Sequence, residues 1–268
     1  MVLGGDHLIG DLLMQTPAIR AYKKLHPEEE ITFVYEGNPS WELLQENKNI
    51  DYLISKKDYK GPEPRVLNCS WAFQYGVQHQ CTMIEGHCAE LGVPADDLRY
   101  ELPLTNVESN AAYIYCQQKK NPVIIARHSH SCTSNDPAIK FPNKCLPNKV
   151  WVDLANWLIK NDFTPIAVGG PKDAIDPLYE EWPGEKLYGA PLRTVAAILK
   201  HADLTISVDT GIRHMAGAVG GRLLTLSGAT PTWLVKCVPQ DGTHQIIEQK
   251  INIHTITADN IIKMLGHF

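Results

Sequence analysis

Short apolar runs closed by turn residues alternate with stretches of helical periodicity through most of this chain, a pattern that admits few architectures. Strand, crossover helix and parallel strand repeat as βαβ units, and such units build a mainly parallel sheet covered by helices on both faces. In the first half, 31–35 (ITFVY), 51–55 (DYLIS) and 65–69 (RVLNC) read as strands, and helices fit 10–25, 40–47 and 79–91. The stretch 56–78 carries Gly61, Pro62 and Pro64 and then three aromatic residues, so it reads as a loop-rich excursion around one short strand.

After the polar run 117–122 (QQKKNP) the alternation restarts, which places a domain boundary there. The second half reads as strands at 123–126, 164–168, 186–188, 203–208 and 222–226, with helices at 148–160, 173–181, 192–200 and 211–219. A last helix follows Thr257 as N-cap. The expected architecture is α/β, with two doubly wound Rossmann-like domains, 1–120 and 121–268, facing a cleft, and the last helix packing back on the first domain. A chain of 268 residues has the length for both. Open α/β sheets bind ligands at the carboxyl ends of their strands, so chemistry is sought at strand-to-helix turns.

One such turn is 206–221, ISVDTGIRHMAGAVGG, where a buried strand runs into a helix through Asp209, Thr210 and Gly211, with Arg213 and His214 just inside. A helix N-terminus offers unpaired N–H groups and about half a positive charge, which makes it an anion site. Thr210 adds a hydroxyl, Gly211 lets a ligand approach the backbone, and Arg213 and His214 add a cation or donor. A second turn follows the next strand, where Ser227, Gly228 and Thr230 supply further donors, and two adjacent turns suit a diphosphate. The alternative is a plain capped helix, with Asp209 or Thr210 satisfying first-turn amides.

At the start of the chain, GGDHLIGD (4–11) has the glycine spacing of a phosphate-binding P-loop, Gly5 then Gly10. Asp11 stands where that loop needs Lys, and Leu12 where it needs Ser or Thr, so a nucleotide site is not expected there. Facing a phosphate site in the other domain, Asp11 is suited to act as a general base on an acceptor hydroxyl. Asp6 is the rival candidate, and an N-cap role is the alternative for Asp11. His7 and Gly10 belong to the acceptor side, with His7 sharing the base role or orienting the acceptor. In the loop 135–151, Lys140 and Lys144 can reach a diphosphate, although Lys144 reads by default as a surface lysine.

Composition excludes several classes. Hydrophobic residues at 44% with no apolar run of the ~18 residues a span needs describe a soluble chain. The first residues lack a secretory leader, so a cytoplasmic location is expected. A net charge of −5 gives no overall attraction to nucleic acid or anionic lipid. The seven cysteines are odd in number and form no CxxC pair, so reduced thiols are expected. His128, His130 and Cys132 alternate as ligands would, but no fourth partner follows; a polar loop is the better reading, and no metal or other cofactor is expected.

Several ordered motifs resemble one family. The segment 10–54, starting GDLLMQTPAIRAYKKLHPEEEITFVYEGNP, is similar to the start of the glycosyltransferase family 9 enzymes, the ADP-heptose:lipopolysaccharide heptosyltransferases and their relatives. KFP before the helix bearing Trp151, AVGGPKD, ILKHADLTISVDTGIRHMAGAVGG and LSGATPT then follow that family's second domain in order. The resemblance implies a glycosyltransferase B architecture, a nucleotide-diphosphate sugar as donor substrate rather than a cofactor, and metal-independent inverting transfer to a hydroxyl of a glycan or similar acceptor. By position it implies Asp11 as the base, Lys140 on the donor phosphate, and Gly169, Gly170, Asp209, Thr210, Gly211 and His214 around the donor. Arg213 departs from the family's usual apolar residue, the first strand is short, and the acceptor-side loops are reduced, which counts against a bulky lipid-linked acceptor. Two other functions stay open. One is transfer to a hydroxymethylated base of DNA, hinted at by Lys56, Lys57, Lys60, Arg65, Trp71 and Phe73; the other is a non-catalytic nucleotide-sugar-binding protein.

Overall fold

The computed structural model describes residues 1–5, 8–128, 144–171, 182–228, 230–237, 243–249 and 253–266. Two wholly parallel sheets organise the chain. The first has three strands, β1 (Val2–Gly5), β2 (Thr32–Tyr35) and β3 (Tyr52–Ser55), in that spatial order. The second comprises β4 (Pro122–Ala126), β5 (Thr164–Gly169), β6 (Glu185–Tyr188), β7 (Leu204–Val208), β8 (Leu223–Ser227) and β9 (His244–Glu248), ordered β6-β5-β4-β7-β8-β9. The chain thus builds outward from β4 in one direction and then restarts on its other side with β7. That reversal puts a crevice outside the carboxyl ends of β4 and β7, the place where open α/β sheets take ligands.

Strands β4, β7 and β8 are buried at every residue, as the unbroken apolar runs of a doubly covered parallel sheet require. The helices are α1 (Ile9–Leu25), α2 (Cys69–His79), α3 (Met83–Leu91), α4 (Asn106–Gln117), α5 (Asn148–Lys160), α6 (Leu192–His201), α7 (Gly211–Ala218) and α8 (Ala258–Leu265), with a 3-10 turn at Pro39–Leu44. Pro17 lies inside α1 and cannot donate to the Leu13 carbonyl; the Thr16 hydroxyl takes that acceptor at 2.7 Å. The largest buried cluster runs across both halves of the chain, joining Leu13, Met14 and Ile84 to Ile124, Ile198 and Met215.

Several expectations are corrected. The expected strand at 65–69 is reduced to a single bridge, Leu3 to Arg65, because Asn68 caps a helix that starts at Cys69. The expected loop 56–78 contains most of that helix, α2. The helix expected at 79–91 starts later, at Met83, and 40–47 is a 3-10 turn. Strand β9 and helix α4 were not anticipated. The last helix packs on α5, where Ile261 joins Trp151 and Leu158 in the second core, instead of returning to the first half. Cys145 is disulfide-bonded, which corrects the reduced-thiol expectation for that residue; Cys69, Cys81, Cys88, Cys116 and Cys237 are free. The helix expected at 173–181 lies outside the described residues.

Candidate functional site

Two helix N-termini meet where the halves of the chain touch. A Cβ placed on Gly10, in the first turn of α1, would stand 2.9 Å from His214 Cδ2 on α7. Conversely, a Cβ on Gly211, the first residue of α7, would stand 2.6 Å from Ile9 Cβ on α1. Each glycine is therefore fixed by close approach of the other helix. The arrangement brings the first turn of α1, with Asp11 as its third residue, beside the turn after β7. Asp11 is not the N-cap, since Leu8 occupies that position without a side-chain hydrogen bond. It is partly exposed.

The β7–α7 turn carries a buried charge cluster. Asp209 is 7% exposed and sits between two cations, with Lys144 Nζ 2.9 Å from Oδ2 and Arg213 Nη2 2.8 Å from Oδ1. Burial alone would raise the carboxyl pKa, but Arg213 and then Lys144 outweigh it and hold Asp209 far below the usual carboxylate range. Two cations and one carboxylate therefore sit beside a helix N-terminus, itself a place where an anion is favoured.

His214 is bound into the same cluster. Burial, followed by Arg213, pushes it well below the usual histidine range, so the ring is neutral. Its Nε2 accepts from Arg213 Nη2 at 3.0 Å, which assigns the proton to Nδ1, donated to Tyr100 Oη at 2.8 Å. The Tyr100 hydroxyl in turn donates to the Lys236 carbonyl at 2.8 Å. Arg213 Nη2 also donates to the Val235 carbonyl at 2.8 Å. Neither residue therefore reaches outward as a direct ligand; Arg213 is 1% and His214 4% exposed, and both brace the turn from beneath.

Thr210 caps α7, accepting from Ile212 N–H at 3.0 Å, so the capped-helix reading describes its hydroxyl. Gly211 is partly exposed at the mouth. In the neighbouring turn, Ser227 is fully buried, with its hydroxyl donated to the Thr230 carbonyl at 3.2 Å. Gly228 is pressed against Ile253, where a Cβ would lie 2.7 Å from the backbone nitrogen, so packing alone accounts for that glycine. Gly169 closes β5 at the same sheet edge, with Gly170 exposed after it. Asp6, His7, His130, Cys132 and Lys140 lie outside the described residues. Among the described residues no group of three or more His, Cys, Asp or Glu gathers as metal ligands do. Nor is any described helix long and apolar enough to cross a membrane.

Sequence reasoning left Lys144 at its default reading and passed over Arg127. Lys144, read by default as a surface lysine, is 21% exposed and paired to Asp209. Arg127, closing β4 at the switch point, is 2% exposed; it donates to Asn148 Oδ1 at 3.1 Å and Tyr188 Oη at 2.8 Å and lies over the Trp182 ring. An arginine ending an apolar strand was the available signal. Of the residues that hinted at a DNA groove, Lys56 pairs with Glu36 at 3.2 Å and the Arg65 guanidinium donates to the Glu90 carbonyl. A cavity of about 640 Å³ opens at the carboxyl ends of β2 and β3, walled by the stacked Tyr35 and Trp41 rings, 4.0 Å between centroids, and by Lys56 and Lys57. It does not touch the β7–α7 turn, which is marked by charge and not by enclosed volume.

The family model for glycosyltransferase family 9 (heptosyltransferase) matches residues 65–255. Among solved structures, the glycosyl transferase family 9 protein from Veillonella parvula shares 16% identity, with a TM-score of 0.74 over 99% of this chain and 95% of that one. The E. coli ADP-heptose lps heptosyltransferase II shares 15%, with a TM-score of 0.73 over 99% and 97% of the two chains. The dodecameric iron-containing heptosyltransferase TibC, solved with ADP-D-beta-D-heptose, shares 14%, with a TM-score of 0.69 over 98% of this chain and 74% of that one. No curated protein sequence matches.

Proposed function

The chain belongs to glycosyltransferase family 9, and from that premise we propose that it moves a sugar from a nucleotide-diphosphate donor to an acceptor hydroxyl by a single inverting displacement without a metal ion. The observation that carries this reading is the meeting of the α1 and α7 N-termini, which sets a carboxylate on one wall and a cation-rich turn on the other.

The donor diphosphate lies at the start of α7, against the Gly211 amide and Lys144, with Lys140 as a further cation. Asp11 accepts the proton of the acceptor hydroxyl. The acceptor oxygen attacks the anomeric carbon from the face opposite the diphosphate, and the bond to the leaving oxygen breaks with its electron pair going to the diphosphate. The helix amide and the lysines stabilise that charge in place of a metal. Asp11 then releases its proton to solvent, and the products are the glycosylated acceptor and a nucleoside diphosphate. Arg213 and His214 act from beneath, holding Asp209 and the turn in shape. The cavity at Tyr35 and Trp41 receives the acceptor, since stacked rings suit the C–H face of a sugar.

ADP-heptose is the donor to test first, given what the solved relatives bind. A thermal-shift panel of nucleoside diphosphates and nucleotide sugars tests the donor site. A ligand at a hundred times its Kd adds about 2.7 kcal/mol of stability, a shift of several degrees. A panel in which no nucleoside diphosphate raises Tm contradicts the proposal.

A further inference from the structure

The segment 97–101 is fastened to α1, the helix that carries Asp11. Arg20 donates to the carbonyls of Asp97 at 2.7 Å and Arg99 at 2.9 Å, and its guanidinium lies 3.2 Å from Glu101 Oε1. The Glu101 N–H donates to Thr16 Oγ1 at 2.9 Å. Arg20 and Thr16 both belong to α1, so the backbone on either side of Tyr100 is tied to that helix. The Tyr100 side chain reaches the other half of the chain. It is wholly buried, and its hydroxyl lies 2.8 Å from His214 Nδ1 on α7 and 2.8 Å from the Lys236 carbonyl.

The carbonyl sets the direction of these bonds. A carbonyl oxygen only accepts and a phenol has one hydrogen, so Tyr100 donates to Lys236 and the Nδ1–H of His214 donates to Tyr100 Oη. That requirement holds whatever the other ring nitrogen carries. Another edge of the same ring meets α1 directly, since Cδ2 is the atom that a Cβ on Gly10 would approach to 2.9 Å. The imidazole is thus held from two places that belong to α1: Tyr100 takes Nδ1, and the residue before Asp11 closes on Cδ2. Helix α7, which begins at the donor turn, is spaced from α1 at both.

We propose that Tyr100 is a positioning residue for the transfer: its hydroxyl fixes the ring of His214, and through it the separation of Asp11 from the turn that grips the diphosphate. This rests on the reading of Asp11 as the base. Tyr100 moves no proton in the reaction. Removing its hydroxyl keeps the ring in the core but lets the imidazole tilt, so α1 and α7 lose their spacing while the Gly211 amide and Lys144 keep their places.

The test compares wild type, Tyr100→Phe, His214→Gln and the double variant for release of ADP from ADP-heptose, with water as acceptor, and for ADP affinity by calorimetry. Tyr100→Phe is expected to lower kcat about tenfold, short of the roughly hundredfold that a full ångström of misplacement costs, with ADP affinity unmoved. His214→Gln keeps an acceptor for Arg213 and lacks Nδ1, so in that background the Phe substitution adds little, as expected of two residues acting through one contact. A wild-type kcat in Tyr100→Phe, or the same fall in both backgrounds, overturns the proposal. So does a loss of ADP affinity that matches the loss of kcat, which would mark a general loosening of the fold. NMR spectra of the histidine ring nitrogens in wild type, assigned by the signal lost in His214→Gln, should show a hydrogen on Nδ1; a bare Nδ1 overturns the proposal even if the Phe variant does not fold. If wild type releases no ADP, the base reading is what fails, and the role of Tyr100 in transfer fails with it.

Discussion

Gly10 lies flat against the imidazole of His214, leaving no room for a side chain, since a Cβ there would stand 2.9 Å from His214 Cδ2. The ring cannot yield, because Tyr100 and Arg213 fix both of its nitrogens. Gly10→Ala therefore forces α1 away from α7, at a cost of about 1–3 kcal/mol for overpacking. Tm falls by about 3–10 °C, and transfer falls with it because Asp11 moves off the donor turn. Gly266→Ala is the control, with φ −64 at α8 and nothing nearer than 3.6 Å, and it leaves Tm within a degree or two. Equal melting of the two variants would contradict the packing assignment.

Asp209 holds two cations in a buried turn, so Asp209→Asn strands both. Breaking a buried pair costs about 3–5 kcal/mol. Adding Arg213→Met removes one stranded charge while filling its volume, and the double variant is expected to be more stable than Asp209→Asn alone. A double-mutant cycle by denaturant unfolding measures this; simple additivity would mean the two side chains do not interact in solution.

Arg193 on α6 fastens the second half to the first. Its guanidinium pairs with Glu108 on α4 at 2.5 and 2.7 Å and donates to the carbonyls of Glu42, Gln45 and Pro103. Arg193→Met is expected to cost about 3 kcal/mol, and Arg193→Lys to recover little, because one ammonium cannot serve that fork. The Arg193 hydrogen bond lowers Glu108 to about 2 despite its partial burial. A depressed carboxylate stabilises the fold above its unfolded pKa, and this share is lost as pH falls from about 4.3 towards 2. Unfolding of the Met variant should lack that acid dependence.

His244 gives a second pH dependence, of known sign. Burial and then Arg213 lower it to about 4, and it lies 3.0 Å from Thr225 Oγ1. Between the unfolded value of about 6.5 and about 4, the unfolded chain binds a proton that the native one does not, so stability declines as the solution becomes more acidic. Tm measured at pH 7.5, 6 and 5 should fall, and His244→Gln should flatten part of that fall. His214 and His201, which burial also lowers, retain the rest. Parallel curves would show that His244 does not carry it.

Where burial and periodicity agree, the elements were readable in advance. Strands β4, β7 and β8 are unbroken apolar runs buried throughout, and α5 buries Trp151, Leu154, Ala155 and Leu158 on one face. Helix α2 escaped because only Ala72 and Gly76 are buried, while Trp71, Phe73 and Val77 are exposed, so its apolar residues do not mark its inner face. Helix α4 likewise buries only Ala112 and Cys116, although its capping box, Thr105 with Glu108, was written in the sequence. At the site, Asp209, Thr210 and Gly211 could be picked out as a strand-to-helix turn. That Lys144 reaches Asp209 depends on a contact between distant elements that no local pattern encodes.

The central claim is that Asp11 and the β7–α7 turn divide the labour, one moving the proton and the other gripping the diphosphate. It is tested most directly by measuring ADP affinity and ADP-heptose turnover for wild type, Asp11→Asn and Lys144→Ala side by side. Asp11→Asn should bind ADP as wild type does and lose at least about 100-fold in turnover, while Lys144→Ala should bind ADP more weakly. Turnover surviving in Asp11→Asn, or ADP binding indifferent to Lys144, would contradict the account.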